Sequence, residues 1–292
     1  MAAALSPVWA FKGTHAATAQ STAPAAKAGA HLPRLLFSIC RAIRATSKLA
    51  PQRSRKLGCA GKATQPPQPF GAGPPLPTRM LTVKEVQRRP SPGARPQPLA
   101  FHGGRLWVGS WDTNTLYAVD PRTWSVAEQI AAPGRPYGMA SFDGSLSVVV
   151  SDGDDDRYLY RCTPGKGFDP SSKTACPDFT GSHLATDGKT IYLCQQGNRR
   201  ILVIDPSANV QREIALPTRC AGFGFGPSGD SFMISGDAEL ENLVLARIDL
   251  RESAPTATRI ASIPFDARAL TFDGAMCWTS HRDASEIVAF TA

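Results

Sequence analysis

The first 84 residues of this 292-residue chain contain no Asp and no Glu. All 24 acidic residues lie from Glu85 onward, where they face 20 Lys and Arg, a balance of −4. The formal charge of +8 for the whole chain therefore comes from the 12 basic residues of the acid-free stretch. A nucleic-acid-binding domain carries clustered basic residues on its folded body, so the charge gives no reason to expect a nucleic-acid partner. Long apolar runs are also lacking. The patch Leu35-Leu36-Phe37-Ser38-Ile39-Cys40 falls far short of the roughly 20 residues a membrane span needs, and no membrane partner is expected. Neither Gly-x-Ser-x-Gly nor His-Glu-x-x-His occurs. Of the seven cysteines, Cys162, Cys176, Cys194, Cys220 and Cys277 are scattered beyond the acid-free stretch, an odd number without paired zinc spacing. A reducing, cytoplasmic setting is the simplest expectation, with Cys162 and Cys176 alone near enough in sequence to suggest a pair.

What the chain does have is a repeat. Leu116, Leu159, Leu202, Leu245 and Val288 stand 43 positions apart, each in an apolar stretch preceded by a second one and a polar loop. Turns recur at about that interval: Phe101-His102-Gly103, Phe142-Asp143-Gly144, Thr186-Asp187-Gly188, Gly226-Pro227-Ser228-Gly229 and Phe272-Asp273-Gly274. A fixed period of this length with strand patterning inside each unit specifies a β-propeller blade. The first unit is the clearest, with strands at Pro98–Phe101, Leu106–Gly109, Leu116–Asp120 and Ser125–Ile130. In the second unit, Gly165 to Lys173 reads as a loop insertion before the outer strand. The fifth unit stops at Phe290-Thr291-Ala292 without an outer strand, while Leu81 to Gln87 has outer-strand alternation and lies before the first complete unit. The expected fold is all-β: a five-bladed propeller of four-stranded blades at residues 80–292, closed by the N-terminal strand completing the last blade, a device that removes an open sheet edge.

Residues 1–79 are expected to be a disordered basic Ala/Pro-rich extension. Three readings stay open: a mis-set start with Met80 as the true first residue, an Arg- and Ser-rich organellar transit peptide, or a disordered tail.

The run Leu99-Ala100-Phe101-x-Gly103-Gly104-x-Leu106-Trp107-Val108, followed by Leu116-Tyr117-Ala118-Val119-Asp120-Pro121, resembles the YVTN, NHL and SMP-30-like propeller superfamily. The five-blade count is similar to the glutamine cyclotransferase propellers. The resemblance implies a ligand face made by the loops after each second strand and the loops leading into each innermost strand. It carries over no catalytic set, because these motifs build blades and one fold hosts many functions.

On that face, Arg95, Arg135 and Arg219 each lie four residues before equivalent apolar positions, Leu99, Met139 and Phe223, and Arg268 lies two before Leu270. Convergence of their guanidinium groups would suit an anion; the competing reading pairs each with a neighbouring acid or carbonyl. Trp111 and Tyr137 would wall a ligand or simply pack the channel, and Asp112 joins Trp111 in the polar loop on the ligand face. His183 and His281 are the histidines of this face, open to hydrogen bonding or to general-base work. Asp152, Asp154 and Asp156 form an acidic run that reads as a solvated turn, with calcium as the alternative; no metal and no cofactor is expected. Three functions follow: a monomeric propeller binding a small anionic molecule or peptide carboxylate, a hydrolase, lyase or cyclotransferase acting at the same face, or a scaffold for a protein partner.

A chain starting at Met80 is expected to melt within about 2 °C of the full chain, because the repeat needs nothing upstream. Calorimetry of the two forms checks this; a large loss of stability in the shorter one would contradict it.

Overall fold

The computed structural model describes residues 80–291 apart from Asp154 and Ala238. The extension expected at residues 1–79 lies outside the described residues, as does Ala292. The described chain is β throughout, with a single short 3-10 turn at Pro177–Phe179.

Five sheets form five blades. Blade 1 runs Pro96–His102, Arg105–Ser110, Thr115–Val119, Val126–Ala131. Blade 2 runs Arg135–Phe142, Ser145–Ser151, Arg157–Thr163, Gly167–Ala175. Blade 3 runs His183–Thr186, Ile191–Gln195, Arg200–Ile204, Val210–Ala215, and blade 4 Arg219–Phe225, Ser231–Gly236, Val244–Ile248, Ala257–Ser262. Blade 5 has Thr271–Phe272, Cys277–His281 and Glu286–Thr291 from the C-terminal end and Lys84–Pro90 from the N-terminal end. The innermost strands touch in the order 1-2-3-4-5 and back to 1, so the ring is closed.

Local chemistry explains the meander. The first hairpins of blades 1 and 2 turn on Gly103-Gly104, with φ of 58° and 72°, and Asp143-Gly144, with φ of 48° and 67°. This left-handed pair is the geometry a two-residue hairpin turn requires. Near the axis the innermost strands approach so closely that only glycine fits at certain points. A Cβ on Gly138 would stand 2.7 Å from the backbone nitrogen of Leu184 in blade 3, and one on Gly222 2.6 Å from the carbonyl carbon of Ala269 beside blade 5.

The core is not central. It consists of five apolar clusters, each shared by two adjacent blades. Trp107 and Phe223 lie in the clusters between blades 1 and 2 and between blades 3 and 4. Trp278 of blade 5 sits in the cluster with blade 1, where Trp124 stacks on it at 6.1 Å and 11°. Its indole N–H donates to Asp273 Oδ2 at 2.9 Å.

The N-terminal strand completes blade 5 as the sequence predicts, pairing antiparallel with Glu286–Thr291 from Lys84↔Thr291 to Pro90↔Glu286. It also does something the repeat does not foretell. Leu81 and Thr82 pair parallel with Ala261 and Ser262, adding a short fifth strand to blade 4. Between the two pairings, Val83 is buried in the cluster of blades 4 and 5. Trp124 of blade 1 then donates its indole N–H to the Pro90 carbonyl at 2.8 Å, holding the other end.

One expectation needs correction. Gly165 to Lys173 is not an insertion preceding the outer strand of blade 2; Gly167–Ala175 is that strand, with a register break between Asp169 and Thr174. Its polar residues hide an exposed edge. Asp169 Oδ1 accepts from the Ser171 amide at 2.9 Å and the Asp169 carbonyl accepts from Ser172 Oγ at 2.6 Å, folding the extra residues into a bulge.

Deletion through Val86 removes both Leu81-Thr82 pairing and the buried Val83. Burial of one such side chain is worth about 1.5–3 kcal/mol, and an opened ring loses more, so a loss of about 3 kcal/mol or more is expected by urea unfolding. A melt unchanged by the deletion would refute this closure.

Candidate functional site

At one end of the axis, the loops after the second strands and the loops leading into the innermost strands enclose a cavity of about 360 Å³. Blade 1 supplies Gln97 and Trp111, blade 2 Tyr137 and Arg157, blade 3 Ser182, His183 and Gln196. Blade 4 supplies Arg219 and Glu239, and blade 5 Arg268 and Arg282.

Bulges aim part of this lining. In blade 1 the register slips between Pro96 and Leu99, in blade 2 between Pro136 and Gly138, and in blade 4 between Cys220 and Gly222. The bulged stretches of blades 1 and 2 contain Gln97 and Tyr137, which both face the cavity. An extra residue shifts the two-residue alternation of a strand and re-aims side chains, a device common beside functional sites.

Aromatic faces organise the cations. Trp111 and Tyr137 lie 4.8 Å apart at 51°, and the Trp111 indole N–H donates to the Pro136 carbonyl at 2.7 Å. Arg282 lies over the Trp111 ring at 4.7 Å, Arg95 over the same ring at 5.5 Å, and Arg157 over Tyr137 at 3.6 Å. Cation–π contacts of this kind hold a guanidinium group without consuming its charge.

Blade 5 contributes two largely buried cations, and Arg157 of blade 2, 14% exposed, is as deeply set. The side chains of Arg268 and Arg282 are 15% and 20% exposed. Arg268 Nε stands 2.7 Å from Asp266 Oδ1, but the proton is not aligned for a hydrogen bond, and both Asp266 oxygens are left without one. Arg282 Nη1 reaches Gln97 Oε1 at 3.3 Å while its Nε donates to nothing among the described residues. Burial lowers the pKa of Arg282, and the neighbouring Arg268 adds to the effect; Asp283 and Asp266 oppose it. Buried donors without partners are uncommon and point to a ligand or solvent role.

His183 lies among them, 5% exposed. Burial first, then the positive charges of Arg268 and Arg282, drive its pKa down to about 3 against an opposing hydrogen bond to the Cys220 backbone. The imidazole is neutral across the physiological range.

The sequence-predicted residues divide. Trp111, Tyr137, His183, Arg219 and Arg268 line one cavity. Arg95 and Asp112 stand at its rim as a half-exposed pair 4.0 Å apart. Arg135 is exposed and faces a neighbouring open recess with Asn114, Asp152 and Asp155. The bulge at Tyr137 does not account for this, since Arg219 stands at the same step before the blade 4 bulge and lines the cavity.

His281 turns away as well. Strand alternation puts Ser280 inward, with its hydroxyl on the Gln97 carbonyl at 3.1 Å, and sends His281 to the opposite side. There Arg88 of the closing strand donates to His281 Nδ1 at 3.0 Å and also engages Glu85 and Glu286. Hydrogen bonds to Glu85 and Glu286 raise the pKa of Arg88. In the acidic run, Asp152 is held by Lys173, Asp154 is outside the described residues, and no group of three or more His, Cys, Asp or Glu among the described residues is placed to hold a metal ion.

Sequence reasoning passed over Gln97, Arg157 and Arg282. Arg282 was legible from the alternation that turns its neighbour away. Arg157 was not: its counterpart 43 positions on, Arg200, goes instead to Glu213 at 2.9 Å and to Asp178.

Neither a protein-family model nor a curated protein matches this sequence. Among solved structures, glutaminyl cyclase of Myxococcus xanthus is similar with a TM-score of 0.55 at 10% identity, over 72% of this chain and 96% of that one. The PQQ-bound aldose sugar dehydrogenase of Streptomyces coelicolor gives a TM-score of 0.47 at 14% identity, over 71% and 80%. Virginiamycin B lyase of Staphylococcus aureus gives 0.43 at 11% identity, over 70% and 98%. The chain is thus a five-bladed β-propeller whose fold is similar to that of glutaminyl cyclase; at these identities the likeness concerns fold alone.

The depressed His183 pKa fixes a pH dependence. An unfolded His titrates near 6.5, so below that pH the unfolded chain binds a proton that the folded chain refuses. The stability of neutral burial is fully present above about 6.5 and is lost as pH falls toward about 3. Urea unfolding between pH 7 and 5 should show a loss approaching about 1.4 kcal/mol per pH unit from this group, and a His183→Gln variant should show a flatter profile. Identical profiles would contradict a buried neutral His183.

Proposed function

We propose that this propeller binds a small anionic molecule, through a carboxylate or comparable group, in the arginine-lined mouth. The observation that carries the reading is the pair Arg268 and Arg282, both largely buried: Arg268 is ion-paired with Asp266 at 2.7 Å, as the competing reading expects, while Arg282 Nε has no hydrogen-bonded acceptor among the described residues. Arg157 and Arg219 add positive charge to the same cavity. Arg219 forms no ion pair among the described residues, and Glu239, the acid in the lining, is exposed. Charge focused in a concave, partly desolvated mouth attracts an anion more strongly than the same charge spread over a surface.

Binding is favoured over catalysis. A base must hold a proton near the working pH to be efficient, and His183, with a pKa near 3, is a weak acceptor. His281 is engaged with Arg88 outside the cavity. What remains in the lining is suited to holding charge and hydrogen bonds rather than to moving protons.

Titration calorimetry of the purified protein with a panel of small carboxylates and phosphates tests the reading. Arg282→Ala should weaken the binding found by about 1.5–3 kcal/mol, the usual cost of a lost charged hydrogen bond. Arg282→Lys should recover only part, since the planar fork is gone. Absence of binding by every anion, or unchanged binding in Arg282→Ala, would overturn it.

A further inference from the structure

The ring order of the blades says more about the anion. Arg268 and Arg282 come from blade 5, Arg219 from blade 4 and Arg157 from blade 2. Blades 4 and 5 are neighbours, whereas neutral hydrogen-bonding wall separates both from Arg157. Blade 1 separates blades 5 and 2 and presents Gln97; blade 3 separates blades 2 and 4 and presents His183 and Gln196. The positive charge therefore sits on two sides of the cavity, three groups on blades 4 and 5 and Arg157 on blade 2.

The charge balance of the cavity is the second observation. Four guanidinium groups face two carboxylates, Glu239 in the lining and Asp266 against Arg268, leaving +2. Asp155 and Asp283 stand 4.0 and 3.6 Å from Arg157 and Arg282, but with side chains 107% and 71% exposed they are turned to water and screened. A monoanion would leave one positive charge uncompensated in a partly desolvated site, which is costly.

We propose that the mouth is built for a small dicarboxylate, one carboxylate held by Arg268 and Arg282 and the other reaching Arg157 or Arg219, with its neutral middle against the amide-bearing walls of blades 1 and 3. Inorganic phosphate, a compact dianion, carries both charges at one point and serves as the control for a ligand that bridges two sides. A volume of about 360 Å³ holds a short dicarboxylate with solvent to spare.

This inference rests on the reading of the mouth as an anion site, and the experiment separates the two. Full-length protein is titrated with succinate, glutarate and adipate, with butanoate, pentanoate and hexanoate as single-charge counterparts, and with inorganic phosphate. At least one dicarboxylate should bind about tenfold or more tightly than its monocarboxylate counterpart, the discrimination of roughly one charged contact. Either Arg157→Gln or Arg219→Gln should then bring that ratio down toward unity. Arg219 is exposed, so its replacement is expected to leave folding intact, which a melt verifies. Equal binding of mono- and dicarboxylates would overturn the dicarboxylate while leaving an anion site. Phosphate binding more tightly than every dicarboxylate, or a ratio untouched by both variants, would overturn it too. Binding of none would remove both readings.

Discussion

Every part of this molecule depends on a ring being shut. No blade has a core of its own. Each apolar cluster is half in one blade and half in the next, so a missing blade or an open seam exposes two faces at once. The seam is where the chain ends meet. Antiparallel pairing of Lys84–Pro90 with Glu286–Thr291 supplies the hydrogen bonds, and the parallel step of Leu81-Thr82 onto blade 4 carries the closure across two blades instead of one. Val83 anchors the crossing by burial and Trp124 holds the far end through the Pro90 carbonyl.

Closure also decides the chemistry of the mouth. Blade 5, the one assembled from both ends of the chain, carries Arg268 and Arg282, and the Arg88 network at the seam takes up His281 on the other side of the same strand. The closing strand thus braces the blade that delivers two largely buried cations to the axis. Their cost is eased locally, by the Trp111 ring over which Arg282 lies, by Gln97, and by an imperfectly aligned Asp266. What is left over on these groups is hydrogen-bonding capacity and net positive charge. Burial and, after it, the same charges hold His183 neutral, which ties the electrostatics of the mouth to the pH dependence of the fold.

The fold was legible because its signals are periodic. Residues such as Leu116 and Leu202 repeat at a fixed spacing, and a blade short of one strand could be matched to an unassigned strand at the other end. Two features escaped for physical reasons. Gly167–Ala175 is an exposed, bulged edge, and polarity hides a strand that buries little. Leu81-Thr82 pairs across blades, which no within-repeat pattern encodes. The site was legible in part. The loops were placed correctly, so Trp111, Tyr137, His183, Arg219 and Arg268 do converge. Direction within a loop was harder: a bulged residue re-aims Gln97 inward, and Arg135 and Arg219, at the same step before equivalent bulges, face different recesses. Arg157 reached the mouth through an aromatic partner that sequence spacing does not reveal.

The central claim is that Arg268 and Arg282 form the anion-binding heart of the mouth. The most direct measurement is a crystal of the protein soaked in bromide, with anomalous scattering used to locate the ion. The account predicts a bromide peak inside the cavity within contact distance of both guanidinium groups. A cavity without such a peak, with ions found only on the outer surface, or with the two side chains turned to solvent, would contradict it.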